Sequence, residues 1–497
     1  MRISSNLFFQ TGLNSINAQQ SDLVHLYKQV GSGQRMVNPS DDPLGAAQAI
    51  NVSQTLAMTE RYGDNRKVAS QNLGMQENVL NSVTLQLQEI KTRLVEVGNG
   101  TISDVDRAAL AEVLQGSRDA LLNLANSTDG NGQYLFSGSR GTRPAFSEQG
   151  LYIGDNTQRL IQADQTRQIA AVDLGSDIFN RAAPGSTGFV MIPNDQNQGT
   201  GAFGKITVTD PKGTAAAKRV EITFTQDVDG VATKYSVSID GAAAVEYDLP
   251  EPPSSLLGGD YGVEIQFSGA PKVGDKLTLV PLSGNYSVSK DSTMAVAGVT
   301  RLNTTSPIKL TYDNTGAYVA EPAPLTANLV SAPGEAPRLE IRNGGAVVAE
   351  ISLYETPTKG SSATIEPGSG SVSRDELNIF QTLDSLIKTL KEPALDDVSA
   401  ANLQNQLNSA LQRVDVTYNN VLSVRASAGT RMNELESLNA NGSTRVLEYR
   451  DQLSKLEDLD YYTAITQLTL RTTALEAASM AFQKIQNTSL FNINARG

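Results

Sequence analysis

Three observations along this sequence predict an α+β fold. Apolar residues recur in heptad spacing at both ends, period-2 runs fill the middle, and the helical stretches mirror each other across that middle. The architecture they specify is a long antiparallel helical coiled coil or bundle built from both termini, with an all-β inserted outer region. Neither helical end covers its apolar stripe alone, so the two are expected side by side, with both ends of the insert emerging together.

The first helix carries Phe9, Leu13, Ile16, Leu23, Tyr27 and Val30 at alternating steps of four and three, interrupted only by Gln20. That is the seam of a helix laid against a partner helix. Ser32, Gly33, Gln34 and Arg35 break it, and the run from Pro39 to Pro43 opens the next helix. Pro43 suits the first helical position, where its missing N–H costs nothing, and Asp42 is the natural N-cap. Asp41 adds negative charge beside the positive end of the dipole. A calcium loop would need a glycine and a later glutamate in register, so the corner reads as capping and not as a metal site.

A second seam runs through Leu73, Leu80, Val83, Leu87, Ile90, Leu94 and Val97, with Gln76 as its exception. Ser103 and Asp106 resemble a capping box for a third helix, whose face carries Leu110, Leu114, Leu121 and Leu124. From Asn131 the stretches "GQYLFSGSRGTRPAF" and "GLYIGDNTQRLIQADQTRQIAAVDLGSDIF" read as hairpin strands punctuated by Gly, Asp and Asn. Between about Ala183 and Gly370 the chain turns rich in Gly, Pro, Ser and Thr. "RVEITFTQDVDGVATKYSVSID" and "PRLEIRNGGAVVAEI" place Asp229-Gly230 and Asn343-Gly344 at tight turns.

Helix returns with a capping box at Ser373 and Glu376 and a stripe of Leu377, Phe380, Leu383, Ile387 and Leu390. A longer helix carries Leu403, Leu407, Leu411, Val414, Tyr418 and Val421 toward Met432 and Leu435, and "NANGS" is expected to end it. The last helix shows Leu468, Leu475, Ala478, Phe482 and Ile485 in heptad spacing. Three domains follow: 1–42 with 446–497 as a terminal coiled-coil core, 43–182 with 371–445 as a helical inner domain, and 183–370 as the β-rich outer region. Ordering one terminus costs more conformational entropy than a six-residue seam returns. The terminal stripes are therefore expected to meet other chains. Phe9, Leu13, Ile16, Leu23, Tyr27, Val30, Leu468, Leu475, Ala478, Phe482 and Ile485 are the expected inter-subunit core, extended by Leu490 and Phe491.

Composition narrows the chemistry. With 497 residues, 53 acidic and 40 basic, the net charge is −13, the wrong sign for a nucleic-acid footprint or an anionic membrane. There is no cysteine and no tryptophan, and His25 is the one histidine. A Ser-His-Asp arrangement could use only that residue, which sits in a helical pattern, so no catalysis and no cofactor are expected. No window reaches the roughly 18 apolar residues of a membrane span, and the opening stretch lacks the apolar core of a cleavable secretory signal. Asn126-Ser-Thr and Asn487-Thr-Ser match a glycosylation pattern by chance.

The first fifty residues, with their "PSDDP" corner, resemble the N-terminal region of the bacterial flagellin superfamily. "VRASAGTRMNELES" is similar to its returning inner-domain helix, and "DLDYYTAITQLTLRTTALEAASMAFQKIQNTSLFNI" to its C-terminal helix, in the form found at the hook–filament junction. "GVEIQFSGAPKVGDKLTLVP" is similar to a segment that recurs in hook-associated proteins. The resemblance covers roughly residues 1–180 and 372–497. It implies a structural adaptor between hook and filament, extracellular and exported without a cleavable signal. The implied partners are sister subunits, another hook-associated protein on the hook side, flagellin on the filament side, and an export chaperone at the C-terminal helix. Filament flagellin is the nearest rival reading, followed by an adhesin or glycan-binding module in the β insert.

Overall fold

In the computed structural model, residues 5–494 are described apart from 99–101, 140, 156, 184–185, 187, 211–212, 216–217, 229, 283–285, 290–291, 295, 301–305, 332–336, 345, 354–355, 368–376 and 394–395. They divide into two compact units: Met1–Val68, Gln162–Gln168 and Glu434–Gly497 in the first, Ala69–Ile161 and Ile169–Asn433 in the second. The chain opens with helices α1 (Ser5–Ser32), α2 (Pro43–Val97) and α3 (Asp104–Ala125). Short strands β1 (Leu160–Gln162) and β2 (Gln168–Ala170) form a hairpin, and the small helix α4 (Gly175–Phe179) follows.

Two antiparallel β bodies come next. Strands β3 (Phe189–Ile192), β4 (Ala202–Val208), β5 (Val220–Val228), β6 (Val231–Ile239), β7 (Val245–Asp248), β8 (Ser254–Leu257), β9 (Val263–Ser268) and β10 (Lys276–Pro281) make the first. Its sheets have the orders β3-β10-β5-β6-β7 and β4-β9-β8. They share a core in which the rings of Phe203, Phe224 and Phe267 lie 5.6–6.0 Å apart. The connection from β9 to β10 is held by the buried carboxylate of Asp275, which accepts from the N–H groups of Gln198, Gly199 and Lys272 at 2.7–2.9 Å. The second body comprises β11 (Tyr286–Val288), β12 (Val296–Thr300), β13 (Ile308–Tyr312), β14 (Tyr318–Glu321), β15 (Leu325–Leu329), β16 (Arg338–Asn343), β17 (Ala346–Leu353) and β18 (Ser362–Pro367). Its four-stranded sheets, β11-β18-β13-β14 and β12-β17-β16-β15, enclose Ile308, Leu310, Leu339, Ile341, Ile351 and Ile365. Gly230 and Gly344 take φ values of +84° and +61° at the expected tight turns, while Asp229 lies outside the described residues.

Helices α5 (Ile379–Lys391), α6 (Asp397–Glu457) and α7 (Tyr461–Asn494) complete the expected α+β class. The helical core of the second unit gathers Leu80, Val83, Leu87 and Ile90 of α2 with Leu114 of α3, Leu386 of α5 and Val414 of α6. Gln76, the polar break in the α2 seam, is fully buried: its amide donates to Asp173 Oδ2 at 2.6 Å and accepts from Asp173 N at 2.9 Å. Ser103 caps α3, accepting from Asp106 N and donating to the Asp106 carboxylate. The expected box at Ser373 and Glu376 lies outside the described residues. The described start of α5 is capped by Asn378, which accepts from Phe380 N and Gln381 N.

Two expectations are corrected. α6 does not end at "NANGS" but continues to Glu457. A helical glycine costs only about 1 kcal/mol, and at Gly442 the missing side chain is useful, since a Cβ there would lie 2.2 Å from Arg66 Nη2. The region 131–180 is also less regular than a set of hairpins. It contains β1–β2, isolated bridges at Thr128–Tyr134 and Phe146–Tyr152, and α4 in place of the last strand. Carboxylates displace the ladder: Asp129 Oδ1 accepts from Asn131 N and Gln133 N, and Asp155 Oδ1 from Ser139 N and Thr157 N. Phe136, Phe146 and Phe179 of this region form one aromatic knot with Phe380.

Candidate assembly interface at the terminal helices

The corner after α1 is tied to the corner before α7. Gly33 takes φ +74°, and its carbonyl accepts from Leu459 N at 3.0 Å. Arg35 N donates to Glu457 O at 2.7 Å, and Arg35 Nε to Leu456 O at 3.1 Å. The same guanidinium meets Asp42 Oδ2 at 3.2 Å, while Asp42 Oδ1 accepts from Gly45 N at 2.9 Å in the first turn of α2, which opens on Pro43. Asp41 Oδ2 accepts from Val37 N and Asn38 N within the loop and lies 3.7 Å from His25 Nε2. Asp460 starts α7, accepting from Tyr462 N and Thr463 N; its hydrogen bond from the Thr463 hydroxyl leads in holding its pKa below the ordinary value.

From this corner α1 and α7 pair antiparallel. Contacts step in opposite directions along the two helices, from Gly33–Leu459 to Asp22–Arg471 to Gly12 under the Phe482 ring. The face of α1 turned to α7 is Gly12, Ile16, Gln19, Leu23, Leu26 and Val30, the residues less exposed than their neighbours. Ile16, Leu23 and Val30 thus lie on the shared face, whereas Leu13 and Tyr27 point outward, Tyr27 at 54% exposure. Leu26, 7% exposed, is the best buried of the set and was missed, because the sequence stripe placed Tyr27 in its position. On α7, Leu468, Leu475, Ala478 and Phe482 are half-buried and Ala464 is buried. Tyr462, Ile465, Leu470 and Met480 are exposed. The side chains of Phe9, Ile485, Leu490 and Phe491 lie outside the described residues.

The first unit holds a second polar junction. Residues 162–168, the turn of the β1–β2 hairpin, meet both α2 and α6. Asn65 Nδ2 donates to Gln162 O at 2.9 Å and Arg66 Nη1 to Ala163 O at 2.8 Å. Arg445 pairs with Asp164 at 2.8 Å and Arg167 with Glu434 at 2.5 Å. Burial pushes the Arg66 guanidinium below its ordinary pKa, and the Arg445 hydrogen bond holds the Asp164 carboxyl below its own. Among the described residues there is no group of three or more His, Cys, Asp or Glu side chains that could hold a metal, and no helix is long and apolar enough to cross a membrane. What the arrangement offers is a helix pair with apolar side chains on its outer faces.

The comparisons with known proteins agree with this geometry. Residues 3–141 match the bacterial flagellin N-terminal helical region, and residues 411–493 the C-terminal helical region. The flagellar hook-associated protein 3 of Escherichia coli is 26% identical over 499 residues, covering 99% of this chain and 100% of that protein. Its counterpart from Salmonella typhimurium is 41% identical over 181 residues, 36% of this chain and 57% of that protein. In fold, the chain is similar to the crystal structures of hook-associated protein 3 from Legionella pneumophila (TM-score 0.54, 21% identity, 82% of this chain and 98% of that one) and FlgL from Xanthomonas campestris (TM-score 0.53, 21% identity, 81% and 99%). Sequence and element order converge: both ends of the chain match the helical regions of bacterial flagellin, and along nearly its whole length the chain is similar to flagellar hook-associated protein 3.

Proposed function

We propose that this chain is the structural adaptor joining hook to filament in the bacterial flagellum, and that it assembles through its terminal helices. The single observation that carries the mechanism is the α1–α7 pair, whose inner faces are only half covered and whose outer faces keep Leu13, Tyr27, Tyr462, Ile465 and Leu470 in solvent. Apolar surface left on a paired helix is surface for another chain. Sister subunits meet there, with Phe9, Ile485, Leu490 and Phe491 extending the seam. A second hook-associated protein lies on the hook side and flagellin on the filament side. An export chaperone holds the C-terminal helix beforehand, the assembled protein is extracellular, and it carries no catalytic step.

Electron microscopy of cells lacking the protein tests the role: hooks without filaments, with flagellin released to the medium, is the expected picture. Complementation with Leu475→Asp or Phe482→Asp is expected to fail while both β bodies stay folded. Normal filaments on cells carrying either variant would overturn the proposal.

A further inference from the structure

Strands β3 and β4 each lie at the edge of a sheet, with β10 beside one and β9 beside the other. An edge strand turns every second residue's N–H and C=O away from its sheet, where they seek a partner. Here the partner is a helix. Asn405 Oδ1 of α6 accepts from Phe203 N at 2.9 Å, and Asn405 Nδ2 donates to Gly201 O at 2.9 Å. Asn408 Nδ2 donates to Phe203 O at 2.8 Å. One turn on, Ser409 Oγ donates to Met191 O at 2.6 Å and Gln412 Oε1 accepts from Met191 N at 3.1 Å. Both outward groups of Met191 and both of Phe203 are therefore met by α6 side chains.

Spacing and burial set this contact apart from incidental surface polarity. Positions 405, 408, 409 and 412 share one helix face by the 3.6 period, beside the apolar face that carries Leu407 and Val414 into the helical core. Asn405 and Ser409 are 2% and 1% exposed. Asn405 spans a carbonyl and an N–H two residues apart, as the N–H and C=O of one residue in a parallel neighbouring strand would. A small apolar patch, Val190 and Val280 with Val416 of α6, flanks the polar row.

We propose that α6 is the missing outer strand of both sheets in the first β body. Its side-chain amides and hydroxyl substitute for peptide groups, and this seam seats the β body on the helical core while closing two edges that could otherwise pair with extended chain from another copy. The inference is independent of the flagellar role.

Amide hydrogen exchange on the full chain tests it. Asn405→Ala is expected to speed exchange at the Phe203 amide about tenfold or more, while amides of the inner strand β9 keep their protection. Asn405→Leu keeps the volume without the amide and is expected to speed that exchange as much as the alanine does, which mere packing would not predict. If Asn405→Ala unfolds the whole body, Gln412→Ala carries the same test at Met191. Unchanged exchange at Phe203 and Met191 in the alanine variants, or parent-like protection in Asn405→Leu, would overturn the proposal.

Discussion

Asp164 joins elements far apart in sequence: its carboxylate receives Arg445 at 2.8 Å, beside a loop carbonyl that receives Arg66. Because the Arg445 hydrogen bond depresses its folded-state pKa, the carboxylate stabilises the fold fully above the ordinary unfolded value near about 4. That contribution is lost as pH falls through the depressed folded value. Asp164→Asn is expected to lower the thermal midpoint at neutral pH and flatten its fall below about pH 4; parallel melting curves for parent and variant would exclude the pairing. Residues of this kind were not legible in the sequence. Gln76 showed only as a polar break in a seam, because its partner Asp173 stands 97 positions away. Gly442 looked like a helix stop, because the Arg66 side chain that crosses it belongs to another helix.

Helix α2 in the second unit is the element most fully written in the sequence. All seven seam residues from Leu73 to Val97 are buried, and the polar positions between them face solvent or find partners. Leu87→Ala is expected to cost about 2–5 kcal/mol by urea unfolding, and Leu85→Ala, on the exposed face, under about 0.5 kcal/mol. Equal costs would mean that the seam is misplaced. Helix α1 was legible as a helix but not in its facing. Two stripes share Ile16, Leu23 and Val30, and the one turned to α7 completes itself with Gly12, Gln19 and Leu26. Hydrophobicity favoured Leu13 and Tyr27, although close approach of the Phe482 ring required the small Gly12. The row of polar residues on α6 was equally hidden, because asparagine and glutamine on a helix read as a solvent face until a strand edge is laid on them.

At the scale of the whole molecule, class and arrangement came from the periods: 3.5 at both ends, 2 between. Which apolar side chains serve the single chain and which serve an assembly is a three-dimensional distinction, and it yields a paired prediction. Leu470→Asp and Tyr462→Asp, at 65% and 85% exposure, are expected to leave helicity and melting unchanged yet block incorporation into flagella. Ala464→Asp, at 4%, is expected to loosen the helix pair itself, seen as lost protection along α7. Incorporation of Leu470→Asp at the parent level would remove the outer face from the interface.

The antiparallel register of α1 with α7 also reaches into synthesis. Asp22 and Arg471 are separated by 449 positions, so their helices can close only once α7 has been made. A copy cut short before α7 leaves α1 without the helix it pairs with. Pairing of α1 therefore waits for α7, and a chain whose translation stopped before that helix is expected to lack the pair.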